Sequence, residues 1–154
     1  MGGHFLSYFS TVFILDNALR CSWQGTSRQA SAILRNAPEG FQVLSGDDDL
    51  TLPMMALGAS GVFSVASNIA PREVSNMVHR AAKNDYKSAR ELHHRLSPLF
   101  KACFVESNPI PVKAGLSLMG LSSPDVRLPL STATEETVAI MRKILTDLGT
   151  CIIP

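Results

Sequence analysis

The stretch Phe41-Gln-Val-Leu-Ser-Gly-Asp-Asp-Asp49, followed twelve residues on by Gly61-Val-Phe-Ser-Val-Ala-Ser-Asn68, constrains the fold more than any other part of the chain. Each opens with a short β-branched and aromatic run, the pattern of a strand buried on both faces, and closes in small polar residues. Residues 50–57 between them are too few and too apolar for a solvated linker, and Gly58 is placed to end them as a helix C-cap. The spacing predicts a β-α-β unit. Such crossovers join parallel strands, and chemistry in parallel sheets collects at the strands' carboxyl ends, here Ser45 to Asp48 and Ser64 to Asn68.

Around this unit the chain reads as an ordinary globular domain, with 45% hydrophobic residues and a net charge of +1 over 154 residues. That charge offers no basic patch for nucleic acid. Cys21, Cys103 and Cys151 have no metal-ligand spacing and leave an odd thiol, so neither a metal site nor a disulfide framework is expected. Residues 1–26 hold an apolar cluster from Phe5 to Leu15. It has no Lys or Arg before Arg20 and falls short of a bilayer span, so secretion and membrane insertion are disfavoured and a cytoplasmic location is expected. The cluster reads as a packed strand or helix, and Val12 to Leu15 could supply an additional strand.

Further along, Ser27-Arg-Gln-Ala-Ser-Ala-Ile-Leu-Arg-Asn36 predicts a helix stopped by Pro38 and Gly40. Asp47 or Asp48 is expected to cap the next helix, with Pro53 early in it. Pro71 should open a helix burying Val74, Met77, Val78, Ala81 and Ala82, interrupted at Asn84 and Asp85. A longer helix follows, with Ala89, Leu92, Leu96, Phe100 and Cys103 inward and Lys87, Arg90, Glu91, His94 and Arg95 outward, bent or divided at Pro98. His93 and His94 read as a surface pair rather than metal ligands. Asn108 is positioned as an N-cap before Pro109, for a helix to about Leu118 with Val112, Leu116 and Met119 on one side and small Ala114 and Gly115 open to close approach. Thr132 and Glu135 have capping-box spacing before a last helix faced by Val138, Met141, Leu145 and Leu148 and stopped by Gly149. The six methionines read as core filler.

The order of these residues carries a resemblance. Leu44-Ser-Gly-Asp-Asp-Asp-Leu-Thr-Leu-Pro-Met-Met-Ala-Leu-Gly58, the run from Gly61 to Glu73, and Asn108-Pro-Ile-Pro-Val-Lys113 resemble the carboxyl-terminal half of the dihydrodipicolinate synthase (4-hydroxy-tetrahydrodipicolinate synthase) family, from about Ser27 to about Gly149. The resemblance implies an α/β fold: the last β/α units of a TIM (β/α)8 barrel over residues 27–84 and a three-helix bundle over 85–149. Residues 1–26 stay unmatched and 150–154 form a tail. It further implies a lyase of lysine and diaminopimelate biosynthesis that condenses pyruvate with aspartate semialdehyde without a cofactor, through a Schiff base on a lysine ending the sixth strand.

Carried over residue by residue, Ser45, Gly46 and Asp47 match the turn that approaches the substrate after the seventh strand. Phe63 matches the eighth-strand residue whose backbone carbonyl faces the pyruvate adduct, although an aliphatic residue is usual there. Asn108 matches the start of a helix near the barrel mouth. The nucleophile does not carry over. Its motif belongs shortly before Arg28, where the chain has Leu19-Arg-Cys-Ser-Trp-Gln-Gly-Thr26, and the first lysine anywhere is Lys83. Arginine keeps its proton and cannot substitute. The tyrosine and threonine proton relay belongs to earlier strands, and neither Tyr8 nor Tyr86 matches it. The expectation is a partial, inactive member of the family, aggregation-prone or homo-oligomeric because its sheet edges are open. The alternatives are a noncatalytic assembly or binding module, and a fragment of a related aldolase such as N-acetylneuraminate lyase, which Asn108-Pro-Ile-Pro-Val-Lys113 disfavours.

Overall fold

Among the described residues four strands form one sheet in the order β1-β2-β3-β4: β1 is Ser10–Leu15, β2 Ala18–Trp23, β3 Gln42–Ser45 and β4 Gly61–Val62. This computed structural model describes residues 10–15, 18–23, 27–150 and 152, with side chains from Arg28 onward, so the expectations for Phe5, Tyr8 and Cys151 lie outside the described residues. Helix α1 is Ser27–Asn36 and α2 is Thr51–Ala56. Both β2 with β3 and β3 with β4 pair in parallel, as crossover helices require, and Leu44 sits opposite Gly61. The β-α-β reading holds. Strand β1, which includes Val12 to Leu15, runs antiparallel to β2 with Val12 opposite Cys21, so the additional strand is realised as a hairpin.

Two details of this sheet differ from expectation. Strand β3 buries one face only: Val43 and Ser45 are inaccessible while Gln42 and Leu44 are half-buried. Strand β4 stops after two residues. Beneath the buried face Val43 packs with Ala30, Met54 and Ala59, and Ile33, Leu34, Phe41 and Leu50 close the cluster. Gly58 ends α2 at φ +109°, a left-handed conformation that disfavours any residue with a Cβ.

The chain divides into two compact units, Met1–Phe63 and Ser64–Pro154. The second is helical: a 3-10 turn Ala66–Asn68, then α3 Pro71–Ala82, α4 Tyr86–Ala102, α5 Ile110–Leu118 and α6 Glu135–Leu148. Pro71 stands at the first turn of α3, where its missing N–H costs nothing. Helix α3 buries Val74, Met77 and Ala81 but exposes Ala82. Helix α4 starts at an Asp85 cap, whose carboxylate accepts from the Ser88 amide at 3.2 Å and from Arg80 at 2.9 Å. It runs unbroken through Pro98, so of the two outcomes expected there, a bend or a division, the division does not occur. Ala89, Leu96, Leu99 and Phe100 are buried, Leu92 is half-buried, and Cys103 is a buried thiol just past the helix. His94 lies on the exposed face with Lys87, Arg90, Glu91 and Arg95, whereas His93 is half-buried with its ring centroid 5.8 Å from that of Phe100.

The other two helix starts also correct the sequence reading. Pro109, after a cis Asn108–Pro109 bond, takes the position before α5, and no side chain caps it. The buried face of α5 is Ile110, Pro111, Val112, Ala114, Gly115 and Leu118, while Leu116 and Met119 are half-buried. Gly115 does admit a close approach, but by side chains: a Cβ there would lie 2.7 Å from Met141 Cε and 2.9 Å from Ile69 Cδ1. Helix α6 is capped not by Thr132 but by Thr134, whose hydroxyl accepts from the Thr137 amide at 3.3 Å. The acceptor expected from a capping-box residue is Glu106 instead, whose Oε1 takes the Thr134 amide and hydroxyl at 3.0 Å each. Thr137, Met141 and Leu145 are buried, Val138 and Leu148 are half-buried, and Gly149 ends the helix at φ 75°. Arg95 donates to the Leu148 carbonyl at 3.1 Å, fastening α4 to the end of α6.

Glu106 makes this clamp sensitive to acid. Hydrogen bonds from the Thr137 hydroxyl and the Thr134 amide hold its carboxyl below its ordinary value of 4.5. A lowered folded-state value contributes stability that is complete above 4.5 and is lost as pH falls through the folded value. Glu106→Gln is therefore expected to lower the melting temperature at neutral pH and to shrink the gap between neutral and acid melting temperatures. Thermal melts across that range check it, and an unchanged gap would contradict the clamp.

Candidate functional site

The carboxyl end of β3 is a turn built on its own side chains. Ser45 is fully buried; its hydroxyl donates to the Asp47 carbonyl at 2.7 Å and accepts from the Asp47 amide at 3.2 Å. Asp47 Oδ1 accepts from the Asp49 amide at 3.0 Å, an Asx turn. Thr51, also fully buried, donates its hydroxyl to the Asp47 carbonyl at 3.2 Å and its amide to the Asp48 carbonyl at 3.3 Å. Neither Asp47 nor Asp48 caps α2: the position before the helix is Leu50, without a side-chain cap. Asp47 contributes its carboxylate and carbonyl to the turn ahead of the helix and Asp48 its carbonyl, and Asp48 is only 1% exposed.

Phe63 joins this turn through the backbone. Its amide donates to the Ser45 carbonyl at 2.7 Å, continuing the β3–β4 ladder past Val62, while its ring is 45% exposed. Ser45, Gly46, Asp47 and Phe63 are thus brought together at the carboxyl ends of adjacent parallel strands. Asn108 belongs to the second unit, where it is exposed ahead of α5. Ser64, Ser67 and Asn68 spend their polar groups on the 3-10 turn: Ser64 Oγ accepts from the Ser67 amide at 2.8 Å, Ser67 Oγ donates to the Ser64 carbonyl, and Asn68 Nδ2 donates to the Val65 carbonyl.

Thr51 is the member of the turn that the sequence reading passed over, and Asp48, expected as a cap, is buried in the turn instead. The signal was a threonine four residues after Asp47, on the first turn of a helix entering from the strand. What the turn can do chemically is limited by its own bonding. Ser45 and Thr51 direct their hydroxyls into it, so the surface it offers is the backbone around Gly46 and the Asp47 carboxylate. No lysine amine stands there.

The amines lie elsewhere. Lys83, Lys87, Lys101 and Lys143 are exposed at the end of α3 and on α4 and α6, and Lys143 pairs with Asp147 at 2.7 Å. Lys113 on α5 donates to Ser122 Oγ at 2.8 Å. Beside β3, the strand preceding α1 is β2, whose Arg20, Cys21, Ser22 and Trp23 pair in parallel with Gln42 to Ser45. Two shallow openings flank α3 and α4 and involve Asn76, His79, Arg80, Lys83, Glu91 and Arg95, none of the five candidate positions. Among the described residues no group of three His, Cys, Asp or Glu could hold a metal ion, and no helix is long and apolar enough to cross a membrane.

Comparison with known proteins places this geometry. A 4-hydroxy-tetrahydrodipicolinate synthase of Methanothrix thermoacetophila is 47% identical over 145 residues, which are 94% of this chain and 48% of that protein. The crystal structure of dihydrodipicolinate synthase from Aquifex aeolicus superposes with a TM-score of 0.82 at 43% identity, covering 85% of this chain and 45% of that one. A chloride-inhibited dihydrodipicolinate synthase from Acinetobacter baumannii, solved with pyruvate, gives a TM-score of 0.77 at 36% identity, covering 81% and 43%. The chain thus spans less than half the length of the relatives it matches, and its fold is that of part of a dihydrodipicolinate synthase. The profile of the dihydrodipicolinate synthetase family matches residues 22–148, a span that takes in β3, its turn, β4 and all of α1 to α6, and the chain accordingly belongs to that family.

Proposed function

We propose that this chain carries the pyruvate-facing wall of a dihydrodipicolinate synthase without the group that reacts. Residues 27–84 correspond to the last β/α units of the barrel and 85–149 to its helical bundle. Ser45, Gly46 and Asp47 form the turn against the substrate, the Phe63 backbone faces the pyruvate-derived adduct, and Asn108 stands near the mouth. The family reaction, a lyase step condensing pyruvate with aspartate semialdehyde, needs a desolvated amine that attacks the keto carbon of pyruvate, loses water and leaves an imine. One observation carries the reading: no lysine precedes Lys83, so the strand beside β3 offers no amine.

The remaining lysines do not compensate. Four of the five are exposed, and water around an ammonium withholds the desolvation that makes a lysine nucleophilic. The expected result of incubating the chain with pyruvate and borohydride is no mass increase, while a full-length relative treated in parallel gains one reduced adduct. A stoichiometric adduct on any lysine of this chain would overturn the proposal.

A further inference from the structure

Where α3 gives way to α4, cationic side chains gather around an opening. Asn76, His79, Arg80 and Lys83 follow one another at spacings of three and four along α3 and its C-cap, so they share one face, and with Asp85 they line a cavity of about 240 Å³. A second opening of about 350 Å³ shares Asn76 and Arg80 with the first and extends along α4 past Ser88, Glu91 and Leu92.

The donors of the first opening are oriented. Arg80 gives one N–H to Asp85 Oδ2 at 2.9 Å, and Asp85 is itself held by the Ser88 amide at 3.2 Å, so the guanidinium is fixed at the wall with the rest of its fork unspent by that pair. His79 meets the Ser75 hydroxyl through Nδ1 at 3.2 Å, which leaves Nε2 for a ligand. Lys83 enters no ion pair among the described residues. Arg80 and Asp85 offset each other, so Lys83 sets the sign of the opening. Helix dipoles do not decide it, because the carbonyl end of α3 and the amide end of α4 meet here with opposite signs. Cations in a last helical turn ordinarily serve its carbonyls. That role accounts for Lys83 but not for Arg80, turned onto Asp85, or for Asn76, a turn earlier and lining both openings.

We propose that this opening is a binding site for a phosphate monoester, with the phosphate held by Arg80, Lys83, His79 and the Asn76 amide and the esterified group lying toward Ser88, Glu91 and Leu92. A tetrahedral dianion presents acceptor oxygens in several directions, which suits a planar fork, a point charge and an amide arriving from different sides. The first cavity is several times the ~30 Å³ share of one water molecule, room for a phosphate and the start of its ester. Glu91 in the second opening repels a second anionic group there and accepts from hydroxyls, while half-buried Leu92 offers an apolar contact, so a hydroxylated monoester fits where a diphosphate does not. The site lies wholly within the helical unit, apart from the Ser45 turn, so its test is independent of the borohydride result.

The test titrates the full chain with inorganic phosphate, with glycerol 3-phosphate and with pyrophosphate, at an ionic strength held constant with sodium chloride, and follows backbone amide shifts by NMR. Saturable shifts at Asn76, His79 and Lys83 are expected with phosphate, and tighter binding with added shifts at Ser88 and Leu92 is expected with glycerol 3-phosphate. Lys83→Gln is expected to weaken both about fivefold, the size of one exposed charge pair. Arg80→Gln is expected to abolish saturation, and Lys143→Gln on α6 to change nothing, with helical circular dichroism reporting that each variant is folded. Shifts that fail to saturate, or that persist in folded Lys83→Gln at unchanged affinity, overturn the site. Equal affinity for phosphate and glycerol 3-phosphate, or tighter binding of pyrophosphate than of glycerol 3-phosphate, overturns the monoester.

Discussion

Phe100→Ala is expected to destabilise the helical unit by about 3–5 kcal/mol, the usual cost of emptying a buried aromatic site whose neighbours collapse only partly. Phe100 is 1% exposed and is the largest fully buried side chain among the described residues. It sits on α4, the helix that packs against both α3 and α6, and its ring meets His93. A domain has about 5–15 kcal/mol of stability in all, so this loss takes a large share of it. Urea titration followed by helical circular dichroism measures the change. A shift below about 1 kcal/mol would mean that the space refills and that the core is less tightly packed than its burial implies.

The sheet unit should respond as strongly to a smaller truncation. Met54→Ala is expected to cost about 2–5 kcal/mol, and it acts on a core with little in reserve. Its buried hydrophobic cluster consists of Ala30, Val43, Met54 and Ala59, and Met54 is the largest of them. Hydrogen exchange reads the effect at two amides: Ser60, which donates to the Val43 carbonyl, and Phe63, which donates to the Ser45 carbonyl. Both are expected to lose protection, because the strand pairing they report is held by the packing of Met54 under Val43. Retained protection in the variant would show that the ladder does not depend on this core. The same measurement bears on the candidate site, since that backbone bond joins Phe63 to Ser45.

Much of the molecule was determined locally. The bounds of α1, the Gly58 and Gly149 stops and the Pro71 start follow from which backbone angles and donors those residues allow, and no distant partner alters them. The parallel pairing of β3 and β4 was legible for a similar reason, because a crossover of that length permits little else. The absence of a lysine before Lys83 is likewise a property of the sequence itself.

Tertiary structure decided whatever depends on a neighbour remote in sequence. Thr134 rather than Thr132 caps α6 because Glu106, 28 residues earlier, holds its amide and hydroxyl. Helix α5 turns Gly115 inward because Met141 and Ile69 press against it, so its buried face is not the one that spacing alone suggested. The Asp47 turn is the local exception: Ser45 and Thr51, two and four residues away, both donate to the Asp47 carbonyl, and neither Asp47 nor Asp48 caps α2. Steric limits on φ and missing donors act within one or two residues and are written in the sequence. Caps, buried faces and hydroxyl networks require a second group at hydrogen-bond or contact distance, and only the fold brings it there.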